Sequence, residues 1–210
     1  MVPAMTGTPP PQAQTPPFAA IVLAGGQSRR MGGGDKALLD LGGRPMVAHV
    51  IDRLGVVPTA ISANGDPDRF AAFGLPVLPD PIPGWLGPLA GVLAGMGWAA
   101  VQGIPRIVTA AADTPFFPRD LAARLAAADA PVAMAVHDGD DHPAFAAWDV
   151  SLHDTLRQSL ADGDRRVRAV MERLGVARIA FAGRDPFFNV NTPEDLALVR
   201  RRLATGDAWT

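Results

Sequence analysis

Leu23-Ala-Gly-Gly-Gln-Ser-Arg-Arg-Met-Gly-Gly-Gly-Asp-Lys36 packs five glycines, two arginines and the only lysine of a 210-residue chain into fourteen positions. It overlaps the end of Phe18-Ala-Ala-Ile-Val-Leu-Ala24, a short apolar run that stops at Gly25-Gly26 and reads as a buried strand feeding a loop. Glycine lets backbone N–H groups come close to a ligand, and successive N–H groups form a concavity that attracts anions. Arg29, Arg30 and Lys36 add positive charge suited to a polyphosphate. Two familiar phosphate loops are excluded. A Walker A loop requires Gly-Lys-Ser/Thr, whereas Lys36 stands between Asp35 and Ala37, and no three glycines here have the G-x-G-x-x-G spacing of a dinucleotide loop. A flexible surface loop with solvated arginines would need the glycine count, the strand-end position and the unique lysine to coincide by accident.

Outward from this loop, strands and helices alternate. Residues 45–54 put Met46, Val50, Ile51 and Leu54 on one helical face, with Pro45 suited to a first turn. Strands are expected at 59–63, 75–78, 106–112, 131–136, 144–148 and 176–181, and helices from Pro88 onward and at 118–128, 152–160 and 167–174. The last helix has a clear start, with Thr192 as N-cap, Pro193 at the first position, then Glu194 and Asp195 at the positive end of the helix dipole. Such alternation predicts an α/β fold of three layers around a mostly parallel sheet with right-handed crossovers. Ligands of these sheets sit outside the carboxyl ends of the strands. Segments 25–36, 64–66 and 113–115 fall at such ends, and 189–191 lies just before the last helix.

Composition narrows the chemistry. The chain has no cysteine, which excludes disulfides, thiolate metal sites and a cysteine nucleophile. A net charge of −2 and a pI near 6.0 argue against nucleic acid, whose binders commonly have a domain pI above ~9. Nineteen cations comprise eighteen arginines and Lys36, so the lysine marks a place to look. Residues 1–17 hold six prolines and little to bury, and are expected to form a disordered tail; 18–205 read as a single domain and 206–210 as a C-terminal tail. No charge precedes Arg29, so the positive region of a secretory signal is missing and a cytoplasmic location is expected. The charge-free stretch 81–105 is long enough on paper to span a bilayer, but Pro81, Pro83, Pro88 and Pro105 interrupt or bound it, which favours a buried helix and no membrane contact.

The motif Leu-Ala-Gly-Gly-x-Ser-Arg-Arg-Met-Gly, with Lys36 four positions after Gly32, resembles the signature of nucleotidyltransferases, and among them the molybdenum cofactor guanylyltransferase (MobA) family. The likeness continues through Gly87-Pro-Leu-Ala-Gly91, Asp113-Thr-Pro115, His137-Asp-Gly139 with Asp141-His-Pro143, Asp164-Arg-Arg-Val167 and Asn189-Val-Asn-Thr-Pro193. These blocks follow the family order and cover nearly everything but the proline-rich tail. The resemblance implies a Rossmann-like nucleotidyltransferase fold and transfer of GMP from GTP to molybdopterin, with or without molybdenum, releasing pyrophosphate.

It also implies roles for particular residues. Asp113 would hold Mg²⁺, although a strand-end Asp is equally a common turn residue. Lys36 and Arg29 would neutralise the triphosphate. Leu23, Ala24, Gly25 and Gly26, with Gly87, Pro88 and Leu89, would frame the base, and Asn64 and Asp80 would be nucleotide contacts. Asp80, in Pro79-Asp-Pro81, is also an ordinary turn former, and the glycines at 87, 91 and 95 would equally serve close helix packing. His142, Arg165, Arg166, Asn189 and Asn191 are candidates for the pterin and its phosphate, against the alternatives of a shaped helix entry and a solvated helix start. GTP and molybdopterin are then the substrates, with a molybdenum-insertion protein and an apo-molybdoenzyme or its chaperone as further partners. Alternatives are the CMP-transferring sibling, a sugar- or polyol-phosphate nucleotidyltransferase, and a non-catalytic nucleotide-binding or cofactor-delivery module.

Overall fold

A computed structural model of the chain describes residues 17–25, 35–82 and 87–205. Seven strands run β1 (Ala19–Leu23), β2 (Thr59–Ser62), β3 (Val77–Leu78), β4 (Arg106–Ala111), β5 (Val132–His137), β6 (Asp140–Asp149) and β7 (Val176–Ala180). Six α-helices accompany them: α1 (Met46–Leu54), α2 (Pro88–Val101), α3 (Leu121–Ala126), α4 (His153–Ala161), α5 (Val167–Arg173) and α6 (Pro193–Thr205). The strands form one sheet in the order β3-β2-β1-β4-β6-β5-β7. All neighbours are parallel except that β6 runs antiparallel to both β4 and β5.

The central strands are apolar on both sides because helices cover both faces. Along β1, Ala20 and Val22 enter one core with α1 and α3, whereas Ala19 and Ile21 enter a second with α2, α4 and α5. A smaller cluster of Leu41, Met46, Phe116, Val190, Leu196 and Val199 seats α6 beside the first core. From β1 the chain builds outward to β2 and β3, then returns across β1 to lay down β4 on its other side. The crevice between the carboxyl ends of β1 and β4 is therefore the switch point where such sheets take ligands. Among the described residues no helix is long and apolar enough to cross a membrane, α2 included.

Three expectations change. The strand expected at 144–148 begins at Asp140, because Asp138 (φ 49°) and Gly139 (φ 88°) form the two-residue turn of a β5–β6 hairpin. The hairpin's register jumps from Met134 opposite Ala146 to Ala135 opposite His142, leaving residues 143–145 as a bulge on β6. Pro143 cannot donate to a ladder, so a bulge is the natural place for it. The strand at 75–78 shrinks to two residues, and a 3₁₀ segment, Pro67–Phe73, precedes it without having been foreseen. The helix expected at 118–128 contracts to α3, six residues long.

Candidate functional site

The carboxyl ends of β1 and β4 open into a cavity of about 390 Å³, lined by Leu23, Ala24, Gly25, Asp35, Lys36, Ala37, Pro88, Ala111, Ala112, Asp113, Ala144, Asn189 and Asn191. The apolar part follows from pairing, since Leu23 lies opposite Ala111 in the β1–β4 ladder and Ala112 N–H donates to the Leu23 carbonyl at 3.1 Å. Ala144 reaches the cavity through the bulge on β6. Small side chains here leave space above the strand ends, and the polar groups stand around it.

Asp113 forms the polar centre. Its Oδ2 accepts from Lys36 Nζ at 2.6 Å, and the same ammonium donates to Asn191 Oδ1 at 2.6 Å. The Asn189 amide, turned so that its NH₂ faces the carboxylate, donates to Asp113 Oδ1 at 2.6 Å and Oδ2 at 2.9 Å. Backbone geometry holds this arrangement: Val190 N–H donates to the Asp113 carbonyl at 2.9 Å, which lays segment 189–191 across the end of β4. Asp195 completes the entry to α6. Its Oδ2 accepts from Asn191 N–H at 2.8 Å and Thr192 N–H at 2.9 Å, while Thr192 Oγ1 accepts from Asp195 N–H at 3.1 Å. Burial would raise the Asp195 carboxyl, but these donors hold it below the usual carboxylate range.

A second, narrower cavity of about 40 Å³ adjoins the first through Leu23, Gly25 and Pro88, and is completed by Ser62, Asn64, Asp80, Gly87 and Gly91. Here Asn64 Nδ2 donates to Asp80 Oδ2 at 2.7 Å, and Asp80 N–H donates to Asn64 Oδ1 at 2.9 Å. That pairing uses one carboxylate oxygen and turns Asp80 into a fixed acceptor at the wall. Gly91 is needed for packing: a Cβ there would lie 2.5 Å from Ser62 Oγ and 2.9 Å from Leu23 Cδ2, so α2 can rest against β1 and β2 only without a side chain. The same close contact shapes the cavity wall, which Gly91 lines.

Other sequence candidates lie elsewhere. Leu89 is fully buried, so its side chain belongs to the core under α2, and neither cavity's lining includes it. Arg165 and Arg166 are exposed and line neither cavity; Arg165 donates to the Leu160 and Asp164 carbonyls, at the C-terminal end of α4. His142 stacks on Phe187 with ring centroids 4.2 Å apart, and its Nε2 is buried without a partner. Burial, then the nearby His137, pushes its pKa below the ordinary 6.5. His142 lines neither cavity, although its neighbour in the bulge, Ala144, lines the larger. Gly26, Arg29 and Arg30 fall outside the described residues. Sequence reasoning missed Asp35, which lines the larger cavity, and Ser62 in the smaller; nothing in their local spacing distinguishes them.

A strand end that brings the Lys36 ammonium beside the Asp113 carboxylate, with a narrow slot alongside in which Asp80 is a fixed acceptor, suits a nucleoside triphosphate. Comparison with known proteins agrees. The profile of the MobA-like NTP transferase domain matches residues 20–179. Molybdenum cofactor guanylyltransferase of Mesorhizobium japonicum is 52% identical over 200 residues, covering 89% of this chain and 96% of that protein. The enzyme of the same name from Cereibacter sphaeroides is 53% identical over 180 residues, covering 84% and 92%. Among solved structures, molybdopterin-guanine dinucleotide biosynthesis protein A from Archaeoglobus fulgidus superposes with a TM-score of 0.69 at 23% identity, covering 90% of this chain and 99% of that one.

Proposed function

The chain belongs to the MobA-like NTP transferase family, and from that membership we propose that it is a molybdenum cofactor guanylyltransferase, which moves GMP from GTP to Mo-molybdopterin and releases pyrophosphate. The terminal phosphate oxygen of the pterin attacks the α-phosphorus of GTP, and the bond from that phosphorus to the bridging oxygen breaks. The nucleophile is already anionic at neutral pH, so no protein base has to remove a proton. Catalysis then rests on holding two anions in line and neutralising the charge that develops on the leaving group.

The observation that carries this reading is the node of Lys36, Asp113 and Asn191 at the end of β4, with Asn189 closing on the same carboxylate. Lys36 Nζ lies in the larger cavity where the phosphates would run, and its ammonium would meet negative charge leaving the α-phosphorus. Asn64 and Asp80 line the smaller cavity, where the Asp80 carboxylate suits the N1 and N2 donors of guanine. Gly87 and Pro88, with Leu23, Ala24 and Gly25, would close around the nucleotide, and Arg29 would join Lys36 on the triphosphate. Asn189 and Asn191 in the larger cavity, with His142 outside it, would meet the pterin.

The donor set fits Mg²⁺. Mg²⁺ takes one or two carboxylates and completes its shell with phosphate oxygens and water, and Asp113 offers such a carboxylate in the cavity wall. Asp113 already attracts one cation, the Lys36 ammonium at 2.6 Å. Asp113 would hold the ion, with the Asn191 amide oxygen beside it; once bound, Mg²⁺ supplies Lewis-acid polarisation of the phosphates. Lys36 and Asn189 orient the Asp113 carboxylate for that task. We place the reaction in the cytoplasm, with a molybdenum-insertion protein and an apo-molybdoenzyme or its chaperone on either side of it.

The test is pyrophosphate release by the purified chain with Mg²⁺, molybdopterin and each NTP in turn. Turnover is expected with GTP and little with the others. Equal use of CTP would reassign the chain to the cytidylyl branch. Binding of GTP with no transfer under any condition would favour a delivery module.

A further inference from the structure

We propose that Arg69 is a positioning residue that ties the wall reading the guanine to the wall holding the triphosphate; the role rests on the GTP reading above. Arg69 lies in the 3₁₀ segment Pro67–Phe73, and its guanidinium is engaged on three sides at once. Nε donates to Asp35 Oδ2 at 2.6 Å, Nη1 to the Asp66 carbonyl at 2.7 Å, and Nη2 to the Asn64 carbonyl at 2.7 Å. Its flat face lies over Phe70, 4.8 Å from the ring centroid, and Phe70 is fully buried, so the group rests on a rigid support.

Two of the three partners lead into different cavities, Asp35 into the larger and Asn64 into the smaller. Asp35 is engaged through both oxygens: Oδ2 takes Arg69, and Oδ1 accepts from Ala37 N–H at 3.1 Å, which caps the short turn Lys36–Leu38. That turn sets where the Lys36 side chain leaves the backbone toward Asp113. Asn64 is held by its carbonyl on Arg69 while its amide holds Asp80 on both the carboxylate and the backbone. Arg69 lines neither cavity, so it acts through Asp35 and Asn64. A planar fork with donors in fixed directions can serve three acceptors together. A lysine ammonium is a point charge and can pair with Asp35 but cannot also span the two carbonyls.

Removing the guanidinium should therefore loosen base selection and phosphate binding together, although it touches neither group. The experiment compares GTP with ITP, which lacks the 2-amino group, in steady-state transfer by the full chain and by Arg69→Met, Arg69→Lys and Asp35→Asn variants. Arg69→Met should raise the GTP KM roughly tenfold, the size expected for losing charge-assisted hydrogen bonds, with a smaller change in kcat. The preference for GTP over ITP in kcat/KM should shrink roughly threefold or more. Arg69→Lys should recover part of the KM without restoring the preference. Asp35→Asn keeps an acceptor for Ala37 but weakens the tie to Arg69. Although it lies on the phosphate side, it should also erode base preference, and it serves as the test if Arg69→Met fails to fold.

Variants that keep the wild-type GTP:ITP ratio, or lose both nucleotides equally alongside a lowered Tm, would overturn the coupling and leave only a structural role. A wild-type chain that binds neither nucleotide by calorimetry would overturn the GTP reading and this role with it. A wild-type preference for GTP that the variants retain would overturn the Arg69 role alone.

Discussion

Asp113 Oδ2 and Asn191 Oδ1 each lie 2.6 Å from the Lys36 ammonium. Neutralising the lysine would leave Asp113 charged and without the ammonium 2.6 Å away; replacing it by arginine keeps the charge but changes its shape. A guanidinium spreads its donors over a plane and cannot bring one nitrogen to both acceptors from the same backbone position. Lys36→Arg is accordingly expected to retain the fold by circular dichroism and to lose roughly a hundredfold in kcat for pyrophosphate release, the order seen when a preorganised donor is lost. Full activity in this variant would make the lone lysine an accident of composition. At this scale much was legible. The lysine stood out by uniqueness, Asp113 by its place after a strand, and Asn189 and Asn191 by their place before a helix. Their mutual pairing was not legible, because 77 residues separate Lys36 from Asp113 and 155 separate it from Asn191. Arg165 and Arg166, a basic pair conspicuous in the sequence, line neither cavity, which their position in the sequence did not reveal.

Among the elements, α2 sets the width of the smaller cavity, the slot proposed for the base. Its glycines were open to two readings, and the contact distances at Gly91 show that packing against Ser62 and Leu23 determines the slot itself. Gly91→Ala is expected to destabilise the chain by ~1–3 kcal/mol, the usual cost of overpacking, read as a lower urea midpoint with an unchanged slope. Rotating the serine hydroxyl away gives little relief, since Ser62 Cβ would still lie 3.2 Å from the new methyl. GTP binding should weaken in the same variant by calorimetry, because the residues that must move line the cavity. An unchanged midpoint and unchanged binding would show that α2 tolerates the shift. The β5–β6 hairpin marks a limit of element-scale reading. Asp138-Gly139 is a strong two-residue turn signal, yet Pro143 masks the strand that follows because proline within a run argues against one. Only the bulge at residues 143–145 reconciles the two.

Across the whole molecule, one sheet carries both main cores, and neighbouring residues of β1 serve opposite faces. Neither face can come apart without stripping the other from the strands, so residues 18–205 are expected to unfold in a single calorimetric transition whose van't Hoff and calorimetric enthalpies agree. GTP with Mg²⁺ should raise its midpoint by mass action. Two resolved transitions would instead divide the chain into separate units. By itself the sequence determined the layered α/β class, the order of most elements, the glycine-rich strand end and the lone lysine, and, through its motifs, the family. All of these depend on local periodicity, backbone freedom or residue identity, which neighbouring letters carry. Tertiary structure alone decided that β6 runs antiparallel, that Lys36 is shared between Asp113 and Asn191, and that Arg69 joins Asp35 to Asn64. Those facts depend on which distant segments meet, and such meetings are set by how the strands are ordered in the sheet and how α2 and α6 seat against it.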